Sequence, residues 1–325
     1  MTDRLDETLR DLAHAMADHG RVLASMHPPK PVAPAADDPR NAVIRGLLRG
    51  VERRCGLRMD EALAAKLRAV LSRVALDELV AWVRRLDRLP AGHAEWLALF
   101  HSLTVHETYF FRDVAQLTLM RDGAFPQLIV EAAAANRRLR LWSAGCATGE
   151  EVYTLAALAL AALATAGHAA EAAEGYVLRH PWELDVLGTD LSPVVLKRAL
   201  AARYETGELS PFRALPQPLV RLFPAVEGRG QSGLRTVRDD VRRHGRFQFF
   251  NLLSEIPPER GFDLVACRNV LVYLAPASRR VAQRVVESAV RPRGFLLLGP
   301  TDSPPDPRRF EPVWGDHAVL FRKIR

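Results

Sequence analysis

The spacing of apolar residues predicts two kinds of structure in two parts of the chain. From Asn41 to about Leu103, apolar positions such as Val43, Leu47 and Val51 recur at steps of three or four residues, which is typical of amphipathic helices. We expect four helices there. From about residue 117 onward, short apolar runs alternate with helical stretches, which indicates a mostly parallel, doubly wound sheet.

Six apolar runs that end at turn-forming residues are predicted as strands. They are Leu139–Trp142, Leu184–Leu187, Phe247–Phe250, Phe262–Ala266, Gly294–Leu298 and Ala318–Phe321. The Ala-rich run Val152–Gly167 is predicted as a buried helix, because a membrane span needs about 20 strongly apolar residues. Several prolines and glycines between about 204 and 245 predict an inserted subdomain of short strands and loops.

These patterns divide the chain into three predicted regions. Residues 1–38 combine helical spacing with four prolines in the seven residues 28–34, which cannot be helical, so we expect an N-terminal helix and a Pro-rich linker. Residues 39–115 are predicted as an all-α domain. Residues 116–325 are predicted as an α/β domain that carries the insertion.

Charge and cysteine content narrow the functional classes only slightly. The 45 Lys and Arg residues against 38 Asp and Glu residues give a formal net charge of +7, which suits nucleic acid, acidic lipid or an acidic protein surface. The three cysteines are too few and too distant to predict a disulfide framework or a metal site. They fit a reducing cytosol, and the polar N-terminus does not resemble a signal peptide, so we expect a cytoplasmic protein without membrane insertion.

The loop after Trp142 carries the first set of candidate ligand-binding residues. Gly145 and Gly149 permit close backbone approach, and Glu150 and Glu151 follow at the start of a predicted helix. Two acids at a helix N-terminus disfavour a phosphate and suit a cationic ligand. S-adenosylmethionine is such a ligand, since it carries a sulfonium and an ammonium group. The alternative is that either acid only compensates the helix dipole.

Two further loops at predicted strand ends carry polar residues. Asp190 ends the second predicted strand, where a carboxylate can accept both hydroxyls of a ribose; equally, it can cap the turn into Ser192. A third loop holds Cys267–Asn269. We expect a helix to start there, with Tyr273 one turn beyond Asn269 on the same face.

Five segments, in this order, resemble the signatures of CheR-type chemotaxis receptor methyltransferases. They are Leu103–Asp113, Trp142–Glu151, Gly188–Asp190, Asn251–Leu253 and Cys267–Tyr273. The resemblance extends from about Val43 to Arg322. It implies a helical N-terminal domain and a Rossmann-like S-adenosylmethionine methyltransferase sheet with a small inserted β-subdomain. It also implies S-adenosylmethionine as cofactor, S-adenosylhomocysteine as product, and glutamates of the receptor's cytoplasmic helical bundle as methyl acceptors.

The resemblance implies roles for individual residues as well. Those placed against the cofactor are His106, Thr108, Arg112, Gly145, Glu150, Asp190, Asn251, Leu252, Cys267, Arg268 and Asn269. Thr108, Arg112 and Glu150 belong at its methionine end, and Asp190 at its ribose. The pair Asn251 and Leu252 flanks the adenine, and Cys267–Asn269 line the floor.

The same resemblance makes Arg112 and Tyr273 the catalytic candidates, nearest to the transferred methyl group. At two points the chain departs from the family pattern. His106 stands where the family usually has Asn, and an imidazole replaces only one of the two amide hydrogen bonds. Gly299–Asp302 stands where the family often has Gly-His-Ser-Glu.

Methyl transfer to a glutamate carboxylate needs no general base, because the glutamate pKa of about 4.3 leaves it ionised at neutral pH. In agreement, no Ser-His-Asp or Cys-His constellation is evident. We expect Arg112 to orient a carboxylate through its planar guanidinium. The alternative is a surface ion pair with Asp113 or Glu107, and for Tyr273 a place in the core.

A stripe of arginines on the first predicted helix is the candidate partner surface. It consists of Arg45, Arg49 and Arg53, four residues apart, with Arg54 next in sequence. It is either a solvated face or a docking surface for the receptor's acidic bundle. We expect no nucleic acid, because no aromatic residues are interleaved. Two other functions stay open: a methyltransferase of the same fold with another acceptor such as RNA, and a non-catalytic scaffold that senses S-adenosylmethionine.

Overall fold

The computed structural model describes residues 38–172, 175–207, 210–226, 233–302 and 304–324. The helix predicted before residue 27 and the Pro-rich linker lie outside these residues. The chain divides into two compact units. Among the described residues, the first comprises 38–107 with Tyr273–Arg279, and the second comprises Thr108–Val272 with 280–324.

Within the described residues, the first unit contains the four predicted helices. They are α1 (Pro39–Cys55), α2 (Glu61–Leu71), α3 (Leu76–Asp87) and α4 (Ala94–Leu103). The N-terminus of α1 is capped by Asp38, whose side chain accepts from the Arg40 N–H, and the helix ends at Gly56 with φ 76°. Apolar faces of the helices enclose Trp96 and Phe100, which are almost fully buried.

A seven-stranded sheet forms the centre of the second unit. In chain order, the following elements are α5 (Val114–Leu119), α6 (Phe125–Ala134), β1 (Arg138–Ala144), α7 (Glu150–Thr165), β2 (Ala169–Ala172), β3 (Gly175–Leu178), β4 (Glu183–Asp190), α8 (Pro193–Ala201), β5 (Arg203–Glu205), β6 (Leu234–Thr236), α9 (Asp239–Arg242), β7 (Gly245–Phe249), β8 (Phe262–Cys267), α10 (Pro276–Ala289), β9 (Val290–Leu298), β10 (Phe310–Gly315) and β11 (Ala318–Lys323). The sheet order is β10-β11-β9-β8-β1-β4-β7. From β9 to β7 all neighbours are parallel, and β11 is antiparallel to both of its neighbours. The predicted Rossmann-like sheet is confirmed.

The core follows from the apolar runs that predicted the sheet. All six residues of β8 are buried, as expected for a central parallel strand that is covered on both faces. The Ala-rich helix α7 is buried along most of its length, which confirms the prediction for this run. Within the described part of the chain, no helix has the length and apolar character that crossing a bilayer requires.

Three strands, β10 and the hairpin of β2 and β3, were not predicted from the apolar pattern. The strand β10 contains Pro312, which argues against a central strand but is tolerated at the sheet edge that β10 occupies. The hairpin of β2 and β3 is rich in Ala and contains Gly175, residues that are depleted in strands. In the inserted region, the described residues include the antiparallel pair β5 and β6 and the 3-10 helix Gln217–Leu222.

The prediction that a helix starts directly after Asn269 is wrong, because the helix starts later in the chain. Asn269 has a φ of 57°, in the left-handed region, which an L-residue cannot adopt within a right-handed helix. A short 3-10 turn, Leu271–Tyr273, follows, and α10 begins only at Pro276. Asn269 and Tyr273 are therefore not an i, i+4 pair on one α-helix.

Candidate functional site

Four neighbouring strands of the second unit end at the same edge of the sheet, in the order β8, β1, β4 and β7. Their registers pair Ser143 with Ala266, Ala144 with Thr189, and Asp190 with Phe249. Adjacent strands lie about 4.8 Å apart, so the loops that follow them are neighbours as well. The loops with Gly145, Asp190, Asn251 and Asn269 are thus brought together as predicted.

Direct contacts join the loop after β1 to the loops on both sides. The Gly145 N–H donates to the Thr189 carbonyl at 2.8 Å, and the Ala147 N–H donates to Asp190 Oδ2 at 3.0 Å. On the other side, a Cβ atom on Gly145 would lie 2.4 Å from Val270 Cγ2. Since Gly145 also has a φ of 81°, this close approach requires glycine.

The carboxylate of Asp190 is half-buried and takes the role of a cap. Its Oδ1 accepts from the Ser192 N–H at 2.9 Å, and its Oδ2 accepts from Ala147. Of the two alternatives for Asp190, the cap of the turn into Ser192 is present. It does not exclude the other, because each carboxylate oxygen has two lone pairs and can also accept a ribose hydroxyl.

Glu150, the first residue of α7, is a buried carboxylate. The Thr148 hydroxyl lies 2.7 and 2.9 Å from its two oxygens. Burial raises the pKa of Glu150 to about 7, against the opposing effects of the Thr148 hydrogen bond and the charge of Arg213. A bound cation would stabilise the ionised form. The position therefore fits an ammonium group.

Arg268 is a buried guanidinium that binds several parts of the site. Its Nη1 donates to Glu151 Oε2 at 3.0 Å, its Nη2 to Asp113 Oδ2 at 2.9 Å, and its Nε to Gln116 Oε1 at 3.0 Å. A further bond from Nη2 reaches the Arg112 carbonyl. Arg268 lies between two carboxylates, so its charge is compensated within the protein.

The segment with Thr108 and Arg112 is fixed on both sides. The Phe110 N–H donates to the Pro211 carbonyl at 2.8 Å, and the Phe111 N–H donates to Thr154 Oγ1 at 3.2 Å. The half-buried Arg112 lies with its guanidinium carbon 5.6 Å from the ring centroid of Tyr109. Both neighbours of Arg112 have a φ of 58°. The chain thus makes a strained turn at Arg112.

Other predicted residues lie at the same edge of the sheet. Asn251 and Leu252 follow β7, and Asn251 Oδ1 accepts from the Leu253 N–H at 2.9 Å. Cys267 is fully buried at the end of β8, and burial raises the pKa of its thiol well above the ordinary value. A Cβ atom on Gly299 would lie 3.1 Å from the Asn269 N atom, so the end of β9 packs there as well.

Two predicted residues belong to the first unit. The ring of His106 stacks on His101 at 4.6 Å between centroids, and its Nε2 lies 2.9 Å from Thr104 Oγ1. Tyr273 is exposed, and its carbonyl accepts from the Arg58 N–H at 2.8 Å. The roles of His106 and Tyr273 stay predictions.

The sequence analysis missed buried polar residues that form hydrogen bonds with the residues of the site. Gln116 on α5 is buried, with its Nε2 donating to the Leu298 carbonyl at 2.8 Å, and Ser143 donates to Glu151 Oε1 at 2.7 Å. One signal in the sequence could have identified such residues: a polar residue inside an apolar strand or helix, such as Ser143 in β1. Its partner is 8 residues away along the chain, whereas the partners of Arg268 are 117 to 156 residues away.

The arginine stripe of α1 is only partly on the surface. Arg45, Arg49 and Arg53 are exposed, and an open depression of about 460 Å³ is lined by Arg49, Glu52, Arg53 and Ser278. Arg54 points inward: its guanidinium carbon lies 4.3 Å from the Trp96 ring centroid, and its Nη2 donates to the Asp87 carbonyl at 3.0 Å. The structure does not bring Arg54 into this surface.

Comparison with known proteins places this architecture among methyltransferases. The family model described as "CheR methyltransferase, SAM binding domain" matches residues 106–319. Chemotaxis protein methyltransferase 1 of Pseudomonas aeruginosa is 27% identical over 282 residues, which cover 84% of this chain and 94% of that protein. The chemotaxis protein methyltransferase of Vibrio parahaemolyticus is 28% identical over 262 residues, 80% of this chain and 88% of that one.

A third relative is much longer than this chain. A 104.1 kDa protein of Rhodobacter capsulatus is 31% identical over 258 residues, which cover 79% of this chain and 24% of that protein. The chain thus spans about a quarter of this relative and most of the two chemotaxis proteins.

Proposed function

Since the chain belongs to the CheR methyltransferase family and is therefore an S-adenosylmethionine-dependent methyltransferase, we propose that it esterifies glutamate side chains of chemotaxis receptors. The observation that carries the proposal is the meeting of the ends of β8, β1, β4 and β7 at one edge of the sheet, where the loop after β1 leads into the buried carboxylate of Glu150. The receptor as acceptor is supported by the relatives named chemotaxis protein methyltransferase.

The residues at this edge suit the parts of the cofactor. Glu150 would face the ammonium group of its methionine end, and Asp190 would accept from the ribose, while Asn251 and Leu252 flank the adenine. Glycine at position 145 leaves room for Val270, so the loops after β1 and β8 pack closely at this edge. When bound, S-adenosylmethionine supplies an electrophilic methyl group on a sulfonium.

The protein's own part in the reaction is positioning and exclusion of water. The acceptor carboxylate is already ionised, so no side chain needs to remove a proton. We propose that Arg112 holds a carboxylate through its guanidinium, and that the Tyr273 phenol hydrogen-bonds near the reacting atoms. Holding the reactants in line supplies the rate gain, since the nucleophile needs no activation.

Transfer of a tritiated methyl group to receptor-rich membranes tests the function. We expect base-labile label on protein, because methyl esters are cleaved by base. Label on RNA would instead support a methyltransferase with another acceptor, and binding without transfer would support a sensing scaffold. Either result rejects receptor esterification.

Arg112→Ala tests the assigned catalytic residue. We expect the variant to remain folded and to lose activity by about 100-fold or more, because orientation of the reactants is lost. The control is Arg121→Ala, which removes an exposed arginine paired with Asp122 at 2.6 Å and should keep normal turnover. Near-normal turnover of Arg112→Ala would refute its role.

For the partner, we propose that Arg45, Arg49 and Arg53 dock an acidic receptor bundle. Reversing Arg49 and Arg53 to Glu should raise the KM for receptor roughly 10-fold at low salt, and less at high salt, because screening weakens steering. The control is Arg73→Glu with Arg84→Glu, an equal charge change at exposed positions elsewhere in the unit. Equal effects of the two double variants would reject docking on α1.

A further inference from the structure

Arg268 directs its guanidinium at protein acceptors, although it follows β8 among the loops that form the site. We propose that Arg268 is a positioning residue that acts through Arg112. The inference rests on the proposed role of Arg112.

The contacts of Arg268 meet the turn on which Arg112 stands. Its Nη2 donates to the Arg112 carbonyl and, at 2.9 Å, to Asp113 Oδ2. Phe111 and Asp113 both have left-handed φ angles, which non-glycine residues adopt only when their surroundings impose them. Arg268 supplies such a constraint, because it binds the backbone of the turn and the side chain at its end.

The other side of the guanidinium is anchored to the rigid part of the fold. Its Nη1 donates to Glu151 on α7 at 3.0 Å, and Ser143 of β1 donates to the same carboxylate at 2.7 Å. Its Nε donates to Gln116, which in turn donates to the Leu298 carbonyl at the end of β9. Through Arg268, the position of Arg112 is thus fixed relative to the strands β1 and β9 and the buried helix α7.

This function requires arginine. A guanidinium has five N–H donors in one plane, and here they serve four acceptors in different directions; an ammonium group is a point charge without this fork. Lysine would preserve the charge between Asp113 and Glu151 and so spare the fold. Arg268→Lys therefore separates positioning from charge compensation.

The matched control is Arg291→Lys. Arg291 is also partly buried between two carboxylates, with Nε 2.6 Å from Asp263 Oδ1 and Nη1 2.9 Å from Glu131 Oε2. It lies at the start of β9, away from the strand ends that form the site. The exchange of one arginine for lysine is the same in both variants.

Hydrogen exchange of the peptide 108–119 is the first measurement, and it needs no activity. We expect faster exchange in Arg268→Lys and unchanged exchange in Arg291→Lys, with closely similar melting temperatures. Unchanged exchange in Arg268→Lys would overturn the proposal. Because this measurement does not depend on any acceptor, it remains decisive even if the chain fails to methylate receptors.

A double-mutant cycle with Arg112→Ala is the second measurement, read by calorimetry with S-adenosylhomocysteine and by methyl transfer. Arg268→Lys should lower kcat/KM about 100-fold when Arg112 is present. In the Arg112→Ala background it should change neither the rate nor the Kd more than about threefold, since coupled residues are not additive. If Arg268→Lys lowers kcat/KM, or weakens the binding of S-adenosylhomocysteine, equally in both backgrounds, Arg268 does not act through Arg112 and the proposal fails.

Discussion

The two ends of the same parallel sheet use charge in opposite ways. At the amino ends of the strands, acids and arginines alternate and pair: Asp185 lies within 4 Å of arginines on β1 and β7, at 3.5 Å from Arg138 and 2.7 Å from Arg246. At the carboxyl ends, Glu150 is buried with a raised pKa, and Arg268 is enclosed by the protein.

Under the proposed function, the difference separates charges that stabilise the fold from charges that form the cofactor site. The pairs at the amino ends are partly exposed and compensate one another, so each adds little to stability. At the carboxyl ends, burial makes the ionised form of Glu150 costly, and under the proposed function the ammonium group of the cofactor would offset that cost. Variants that act on one end and not the other test this contrast.

Gly145→Ala should have the largest effect. The new Cβ would overlap Val270, and alanine would have to keep a φ that is unfavourable for any residue with a Cβ. We therefore expect methyl transfer to fall at least about 1,000-fold. Its counterpart at the amino end is Gly261→Ala, which has a similar φ of 80° but no atom nearer than Arg140 Nη1 at 3.5 Å. That control should lose only about 1–2 kcal/mol of stability and keep its turnover. Equal turnover of the two variants would remove the contrast.

Glu150→Gln should have the next largest effect, and its direction depends on pH. Burial raises the folded-state pKa from 4.5 to about 7, so the native state binds more protons than the unfolded state between these values. The free energy of unfolding of the wild type therefore decreases as pH rises from about 4.5 to about 7. In the glutamine variant this decrease should be absent.

In denaturant titrations at pH 8, Glu150→Gln should be more stable than wild type by on the order of 3 kcal/mol, and it should bind S-adenosylmethionine more weakly. The control is Glu183→Gln at the amino end, where the exposed side chain lies 3.4 Å from Arg138. A change of about 0.5 kcal/mol or less is expected there. A pH profile of Glu150→Gln that parallels wild type would contradict the assignment.

Asp185→Asn should have the smallest effect. It removes the negative charge that arginines on β1 and β7 share, so we expect about 0.5–1 kcal/mol less stability, and a smaller loss at high salt. Turnover per folded molecule should stay at the wild-type value, measured with enzyme concentration corrected for the unfolded fraction. A loss of kcat would mean that the two ends are coupled.

The sheet was predictable because each strand is encoded locally, whereas the site contacts are not. Apolar runs such as Phe262–Ala266 predict a buried strand without knowledge of its neighbours. The strand β10 escaped because Pro312 breaks the local pattern, and only its edge position makes Pro312 acceptable. Likewise, the left-handed Asn269 is imposed by loop packing, which no periodicity encodes.

Sequence reasoning brought the correct loops together but assigned some side chains by spacing alone. Arg54 follows Arg53 and was placed on the same surface, yet consecutive helix residues point about 100° apart, and Arg54 packs over Trp96. For Arg268, the acceptors come from segments more than 100 residues distant. Such partners follow from the tertiary structure, so the sequence indicates only that a charged residue is present.

The buried thiols at the carboxyl ends bear on self-inactivation. A thiolate would compete with the acceptor carboxylate for the methyl group of a sulfonium, and alkylation of the enzyme would be irreversible. Burial raises the pKa of Cys146 and Cys267 well above the ordinary value, so both sulfurs remain protonated at neutral pH. With the cofactor bound at this edge as proposed, neither sulfur would be a target for its methyl group.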